Sequence, residues 1–307
     1  MDEVRTRLPI CDWVAIGIAV GYICVLAFLP SAGVDLKLSY LPTVYGDFHG
    51  FYNPYWIRPL FEMLALLPFR LAYVFLMLLS LVGIWFSTRV FEGRLIHVLL
   101  TYQFAFLLFY GQIDALVVWG LAISWWGLNH RRYFVLGVGM VLALLKPQVT
   151  VVAVGLILWW AGSHKARVKS LLPFAFVIAL SIWRYGWWFS PWWQHLQNNS
   201  LNRGGSITLW EYFGPIVLLL WLPLAFVRLP RRDFLALALA TSALTMPYYQ
   251  QYSLVVLQVF PIGWVAWLGN VGFLFYKFHY LALEWTIVVP AVVYLRFLMD
   301  SLDWQKT

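Results

Sequence analysis

Asp35 is the first residue of this sequence whose type and position suggest catalysis. It follows the first apolar run by a few residues, within GVDLKLSY (33–40). A carboxylate at the edge of a membrane can keep a raised pKa, which a general base needs near neutral pH. A loop aspartate also commonly caps a helix or pairs with a neighbour such as Lys37. Asp47, in YGDFHG (45–50), is a second candidate base, or simply a turn residue between two glycines.

Three cations are candidates for binding an anionic group. Lys146 interrupts an apolar run immediately before Pro147. A cation there needs a partner such as an anionic lipid head group, or it snorkels to the head groups at the surface. Arg58 and Arg203 lie in polar stretches, and a guanidinium suits bidentate phosphate binding.

The other candidate substrate-binding residues are polar side chains near predicted helix ends. They are Gln112 and Asp114 in FYGQID (109–114), His49, and Tyr249 in TMPYYQQY (245–252). Gln112 and Asp114 also suit a simpler role, satisfying free backbone amides at a helix start. His49 and His195 are isolated histidines without metal-ligand spacing. We therefore predict no metal and no cofactor. The lack of a phosphate-cradling glycine loop also disfavours a nucleotide donor.

The elements that position these residues are predicted to be membrane helices. Of the 307 residues 63% are hydrophobic and 11% charged, against roughly 25% charged in soluble domains. Apolar runs near the ~20 residues that cross a bilayer recur from Trp13 almost to the C-terminus. We predict an all-α polytopic membrane protein, one transmembrane domain over residues 1–307 with ten or eleven spans. The predicted spans are 13–29, 71–88, 95–110, 113–128, 133–146, 148–162, 170–189, 213–227, 233–246 and 252–268, with an ambiguous end at 270–298.

The net charge of +8 orients the chain rather than indicating a nucleic-acid partner. Every second connection is basic, which by the positive-inside rule makes those connections and the N-terminus cytoplasmic. The basic connections hold Arg89 with Arg94, NHRR (129–132), HKARVK (164–169) and RLPRR (228–232). Residues 31–69 then form a long external loop, in which RPLFEMLALLPF (58–69) is predicted to be an interfacial helix. The polar stretches with the candidate residues converge on the external face.

Tryptophans and tyrosines are concentrated near the predicted span ends. Such positions are typical of an interfacial aromatic belt. Amphipathic rings also suit stacking on a sugar or an isoprenoid. Both interpretations stay open from the sequence.

An ordered set of short motifs resembles a known enzyme family. After Asp35 come FYNPYWIRPLFEMLALLPF (51–69), FYGQID (109–114) and LLKPQ (144–148). This order is similar to that of the polyprenol-phosphate-dependent membrane glycosyltransferases of family 87, in the GT-C superfamily. The resemblance covers residues 12–160, a GT-C-like core module, and leaves 170–307 as variable C-terminal helices. MPYYQQYSLVVL (246–257) is similar to a later proline and tyrosine element of the family.

The resemblance implies an inverting glycosyltransferase of the cell envelope, in the plasma (inner) membrane with an external active site. Its donor would be a polyprenyl-phosphate sugar, carrying mannose or another hexose or pentose, and its acceptor a hydroxyl on a lipid or glycan. Asp35 occupies the family's base position and Lys146 its helix-ending lysine. The alternative is a polytopic transporter or lipid flippase, since many spans with embedded polar groups also describe a transport path. A structural membrane subunit is a third possibility.

Overall fold

The computed structural model describes residues 9–199, 206–274 and 285–304. Within these ranges the chain forms helices joined by turns and loops. The β structure there is one isolated antiparallel bridge, between Ser206 and Gln250. The predicted all-α class is confirmed.

The helices are numbered in chain order. They are α1 (Ile10–Leu26), α2 (Arg58–Ala65), α3 (Phe69–Val90), α4 (Ile96–Leu99), α5 (Tyr102–Tyr110), α6 (Asp114–Asn129), α7 (Tyr133–Ala143), α8 (Pro147–Trp160), α9 (His164–Tyr185), α10 (Phe189–Asn199), α11 (Trp210–Phe213), α12 (Arg231–Thr245), α13 (Val255–Gln258), α14 (Val271–Leu274) and α15 (Val288–Trp304). Short 3₁₀ segments cover Leu41–Tyr45, Tyr55–Ile57, Gly214–Ala225, Gln251–Leu254 and Gly263–Asn270, and Leu36–Tyr40 is π-helical.

The predicted number of ten or eleven spans is wrong for the described part of the chain. There, α3 and α9 are the two helices long and apolar enough to cross a membrane. A third span is counted if α5 and α6 are taken together, although they are bent by 115°. The remaining apolar helices, such as α1, α7 and α8, have 17 residues or fewer.

Local backbone chemistry explains why apolar runs do not become uninterrupted helices. The predicted span 95–110 is divided before Thr101, whose hydroxyl caps α5 by accepting from the Phe104 amide. The span predicted over 213–227 is mainly a 3₁₀ helix, with prolines at 215 and 223. Hydropathy windows register the apolar content of such segments but not their caps and prolines.

Helix α6 lies at the centre of the bundle and packs against α3, α7 and α8. Its close contact with α7 depends on small residues. A Cβ atom on Gly120 would lie 2.3 Å from the Ala143 nitrogen, and one on Gly139 would lie 2.4 Å from the Ser124 nitrogen. Glycine at such positions lets two helix backbones approach closely, as in membrane helix pairs. One hydrophobic core joins residues from Ala15 to Phe297.

Several outer helices carry large apolar side chains on their exposed faces. Phe176 and Trp183 of α9, Phe75 of α3 and Ile18 of α1 are all exposed. A helix is present where the interfacial helix was predicted, but it is shorter than 58–69. It is α2, and it buries Phe61 and Leu64.

Candidate active site

Four chain segments meet where α5 ends and α6 begins. They are the loop after α1, the α5–α6 turn, the α7–α8 turn and the 3₁₀ segment before α13. Their side chains form a polar cluster in which Asp35, Gln112, Asp114 and Lys146 are joined by hydrogen bonds. Four of the candidate residues, far apart in sequence, therefore lie in one place.

Two glycines allow the loop after α1 to approach the α5–α6 turn. Gly111 follows the last residue of α5 with a φ of 71°, the left-handed conformation that commonly ends helices. A Cβ atom on Gly111 would lie 3.2 Å from both the Gly33 Cα and the Leu36 Cβ. The Gly33 amide donates to the Phe109 carbonyl over 2.7 Å. This contact places Asp35 and Gln112 within reach of each other.

Lys146 owes its position to the proline that follows it. Pro147 is the first residue of α8, and the residue before a proline is pushed out of the helical region. Lys146 accordingly has φ −129° and ψ 84°, so that the chain turns between α7 and α8. The loop before α2 supports this turn, because the Asn53 side-chain amide donates to the Leu145 carbonyl over 2.9 Å.

Lys146 and Asp114 form a buried ion pair, with 2.6 Å between Nζ and Oδ2. The other carboxylate oxygen of Asp114 accepts from the Ser253 hydroxyl over 2.5 Å. The Lys146 ammonium also lies 4.7 Å from the centroid of the Tyr252 ring, a cation–π contact. Asp114 is in the first turn of α6, where the helix dipole further favours a negative charge.

Gln112 connects this ion pair to Asp35. Its carbonyl oxygen accepts from the Tyr40 hydroxyl at 2.7 Å and from Lys146 at 2.8 Å. Its amide nitrogen donates to the Asp35 carboxylate and, at 3.0 Å, to the Tyr252 hydroxyl. Both amide hydrogens and both lone pairs are thus used, which fixes the orientation of this buried amide.

Asp35 is the member of the cluster that is partly exposed. Burial raises the pKa of its carboxyl to about 6, the Lys146 charge lowers it, and the Asp114 charge raises it. The simpler roles considered for Asp35 are not observed. Its side chain caps no helix, and it is absent from the ion pairs of the described residues, including any with Lys37.

Three residues of the cluster were not predicted from the sequence: Tyr40, Tyr252 and Ser253. Tyr40 lies in the same short segment as Asp35. Tyr252 is the last residue of the tyrosine-rich stretch that suggested Tyr249, and Ser253 directly follows it. Burial and the neighbouring Asp35 and Asp114 charges raise the pKa of Tyr40 well above its usual value. Tyr40 therefore stays a neutral hydrogen-bond donor at ordinary pH.

The Tyr249 side chain is fully buried, so a substrate cannot reach it in this structure. Its hydroxyl faces the Ser253 carbonyl at 3.4 Å, and its carbonyl accepts from the Ile207 amide. It packs behind the cluster, and its burial does not support the predicted substrate-binding role. A tyrosine-rich motif does not indicate which of its rings faces the site.

Asp47 and His49 lie outside the cluster. Both are exposed, and the Asp47 carboxylate accepts from the His49 amide at 3.0 Å. This bond closes a local turn between Gly46 and Gly50, as aspartates in turns commonly do. The structure therefore brings neither residue to Asp35.

Arg58 is also removed from the cluster. Its guanidinium lies 4.2 Å from the Tyr185 ring centroid and near the Phe48 and Tyr55 rings, and it donates to the Thr43 carbonyl at 2.9 Å. These contacts hold the loop after α1 against the end of α9. They give Arg58 a packing role, and its phosphate binding stays a prediction. Arg203 lies outside the described residues.

The cluster contains one carboxylate that is both partly exposed and hydrogen-bonded to its neighbours, that of Asp35. Across the described ranges, no set of three or more His, Cys, Asp or Glu side chains is arranged to hold a metal ion. A partly exposed carboxylate with a pKa near 6 can accept a proton from a bound hydroxyl.

Searches with family models, against curated proteins and against solved structures find no match to this chain.

Proposed function

We propose that this protein is an inverting membrane glycosyltransferase that moves a sugar from a polyprenyl-phosphate carrier to an acceptor hydroxyl. The observation that carries the proposal is the position of Asp35, partly exposed at the rim of a buried cluster with its pKa raised to about 6. The motif order that resembles the GT-C family supports the same function. Asp35 is the proposed base in both arguments.

In the proposed reaction the acceptor hydroxyl transfers its proton to Asp35 as its oxygen bonds to the anomeric carbon. The bond from that carbon to the carrier phosphate breaks on the opposite side, and its electron pair stays on the phosphate oxygen. Attack opposite the leaving group inverts the anomeric centre. Because phosphate leaves readily, the reaction requires no acid to protonate it, and positioning of the two substrates supplies much of the rate.

The exposed apolar faces of the outer helices support a lipid setting for this reaction. Soluble monomers seldom expose large contiguous apolar surfaces, whereas α9 exposes Phe176 and Trp183 along one helix. A plasma-membrane location, a cytoplasmic N-terminus and an external cluster remain parts of the proposal. A lipid-linked donor would then reach Asp35 sideways from the bilayer.

A second candidate function is transport, which one observation favours. Thr101, Gln103 and Gln258 form a second buried polar cluster where α4 gives way to α5, with Thr101 Oγ1 3.0 Å from Gln258 Oε1. Interrupted helices with internal polar groups occur in transporters. This cluster contains no ionisable side chain, so it offers no charged site at which a transported proton or ion could bind.

The test is sugar transfer by the full-length protein in nanodiscs, using polyprenyl-phosphate donors that carry mannose, another hexose or a pentose. We expect Asp35→Asn to abolish transfer and Asp47→Asn to retain it. The two variants make the same chemical change in the same loop, which makes the second a matched control. Full activity of Asp35→Asn would refute the base assignment, and lipid translocation without transfer by the wild type would favour the flippase.

A further inference from the structure

Several helix ends meet on the face of the bundle opposite the Asp35 cluster. The cluster lies where α6 and α8 begin, and ring contacts join the places where these two helices end. The Trp125 ring of α6 lies 6.0 Å from the Trp160 ring at the end of α8, and Trp160 lies 6.1 Å from the Phe234 ring in the first turn of α12. Because α6 has 16 residues, it separates the two faces by about 24 Å. We call the surface formed by the end of α8 and the starts of α9 and α12 the distal face.

Arginines and lysines are concentrated on the distal face. They are Lys165, Arg167 and Lys169 near the start of α9, with Arg228 and Arg231 at or just before the start of α12. None of these five takes part in an ion pair among the described residues. The carboxylate nearest to them in sequence, that of Asp233, is bonded to Arg232 at 3.0 Å. The distal face therefore keeps a net positive charge.

Two of these arginines lie on the tryptophan rings that end α8. The Arg167 guanidinium is 5.2 Å from the Trp159 ring centroid, and it donates to the Trp159 carbonyl at 3.2 Å. The Arg231 guanidinium is 5.9 Å from the Trp160 ring centroid. A cation–π contact orients a guanidinium through its face and leaves N–H groups at its edge. These N–H groups can donate to an anion, and their planar arrangement matches a phosphate group.

An apolar surface begins directly beside these cations. Trp159 of α8 is largely exposed. The exposed apolar residues of α9 within two turns of Lys165 include Val168, Leu171 and Leu172. Cations, amphipathic rings and apolar surface in this order match the head-group layer of a bilayer, where long cationic side chains extend to the phosphates. A nucleic acid or an acidic peptide would match the charge but not the apolar surface, so the observations favour a lipid.

We propose that the distal face binds the head groups of anionic phospholipids, with Arg167 and Arg231 donating to the phosphate oxygens. The inference goes beyond the proposed sugar transfer and shares with it only the bilayer setting. Each arginine or lysine near an anionic membrane surface adds to the attraction, which salt weakens by screening. The protein therefore prefers anionic to zwitterionic lipid, and this preference is determined at the end of the bundle away from Asp35.

The test measures lipid binding by the full-length protein in nonionic detergent, using native mass spectrometry. Phosphatidylglycerol is the anionic lipid and phosphatidylcholine the zwitterionic reference. We expect the wild type to bind phosphatidylglycerol more tightly, and to lose this preference as salt is raised. Arg167→Gln and Arg231→Gln should each weaken phosphatidylglycerol binding roughly fivefold, the effect of one cation near a membrane surface. Binding of phosphatidylcholine should not change.

Two further variants separate lipid binding from folding. Lys165→Gln removes a charge from an exposed side chain of the distal face that makes no printed contact with α8, and it should weaken phosphatidylglycerol binding by a similar factor. Arg184→Gln is the matched control, because Arg184 lies at the other end of α9 and is paired with Glu62. We expect the control to keep the wild-type affinity for phosphatidylglycerol.

Equal affinity of the wild type for the two lipids would overturn the inference, as would unchanged phosphatidylglycerol binding in folded Arg231→Gln and Lys165→Gln. Displacement of the lipid by inorganic phosphate would also overturn it, in favour of a soluble anion. Tighter binding of polyglutamate than of phosphatidylglycerol would overturn it in favour of an acidic protein partner. Because no sugar donor is present, a wild type that selects phosphatidylglycerol but transfers no sugar would refute the proposed function alone.

Discussion

Lys146 is ion-paired with Asp114, Nζ to Oδ2, over 2.6 Å, and both side chains are almost completely buried. The ammonium also donates to Gln112 and faces the Tyr252 ring. Its charge is therefore compensated inside the protein instead of being available to a substrate phosphate. Through these contacts Lys146 holds the cluster together, and its charge lowers the pKa of Asp35.

Removing one partner of this pair is expected to cost more stability than removing both. Lys146→Met leaves a buried carboxylate uncompensated and should lower the free energy of unfolding by about 3–5 kcal/mol. Lys146→Met combined with Asp114→Asn should recover most of that loss, because neither buried charge remains. Denaturant-induced unfolding in mild detergent measures the free energy of unfolding of the single and the double variant. A double variant as unstable as the single one would show that the ion pair is not the cause.

The pH profile of transfer should report the carboxyl of Asp35. The base must be ionised, so kcat/KM should fall as pH drops below about 6, the pKa raised by burial. The Asp114 charge raises this pKa and the Lys146 charge lowers it. Asp114→Asn should therefore move the acid limb to lower pH and Lys146→Met to higher pH. Shifts of the same sign in the two variants would contradict the assignment.

The same raised pKa predicts a gain in stability when Asp35 is neutralised. A carboxyl whose pKa rises on folding, here from 3.8 to about 6, binds its proton more tightly in the folded state. Its favourable contribution is present below pH 3.8 and is lost as pH rises through 6. Asp35→Asn should therefore be more stable than the wild type at pH 7.5, and the difference should disappear near pH 3.5. Thermal unfolding at the two pH values, with Asp47→Asn as the exposed control, measures this.

The sequence predicted the meeting of Asp35, Gln112, Asp114 and Lys146 because each lies where an apolar run ends on one predicted side. This prediction required only the side of the membrane on which each apolar run was predicted to end. It could not separate Tyr249 from Tyr252, because that distinction depends on the backbone rotation of the short segment before α13. It also could not place Arg58, whose partner Tyr185 is far away in sequence. The predicted number of spans was wrong because prolines and helix caps divide apolar runs that a hydropathy profile shows as continuous.

Gln112 should act as a positioning residue for Asp35. Gln112→Met removes an amide that donates to the ionised carboxylate, so the pKa of Asp35 should rise and the acid limb of the pH profile should move upward. Gln103→Met is the matched control, since Gln103 is an equally buried glutamine on α5 outside the cluster. We expect the control to lose stability without moving the acid limb. Equal pH profiles for the two variants would assign Gln112 a purely structural role.

Gly111 is expected to be more sensitive than glycines within the helices. Gly111→Ala forces a side chain into a φ of 71°, at roughly 1–2 kcal/mol, and its Cβ would press on Gly33 and Leu36 at 3.2 Å. Gly155→Ala in α8 meets nothing within 4 Å and should stabilise the helix by about 0.5–1 kcal/mol. Because the pressure on Gly33 moves Asp35 away from Gln112, transfer by Gly111→Ala should fall even at temperatures where the variant is fully folded. Normal kcat in folded Gly111→Ala would mean that the approach of the two loops is not needed for the reaction.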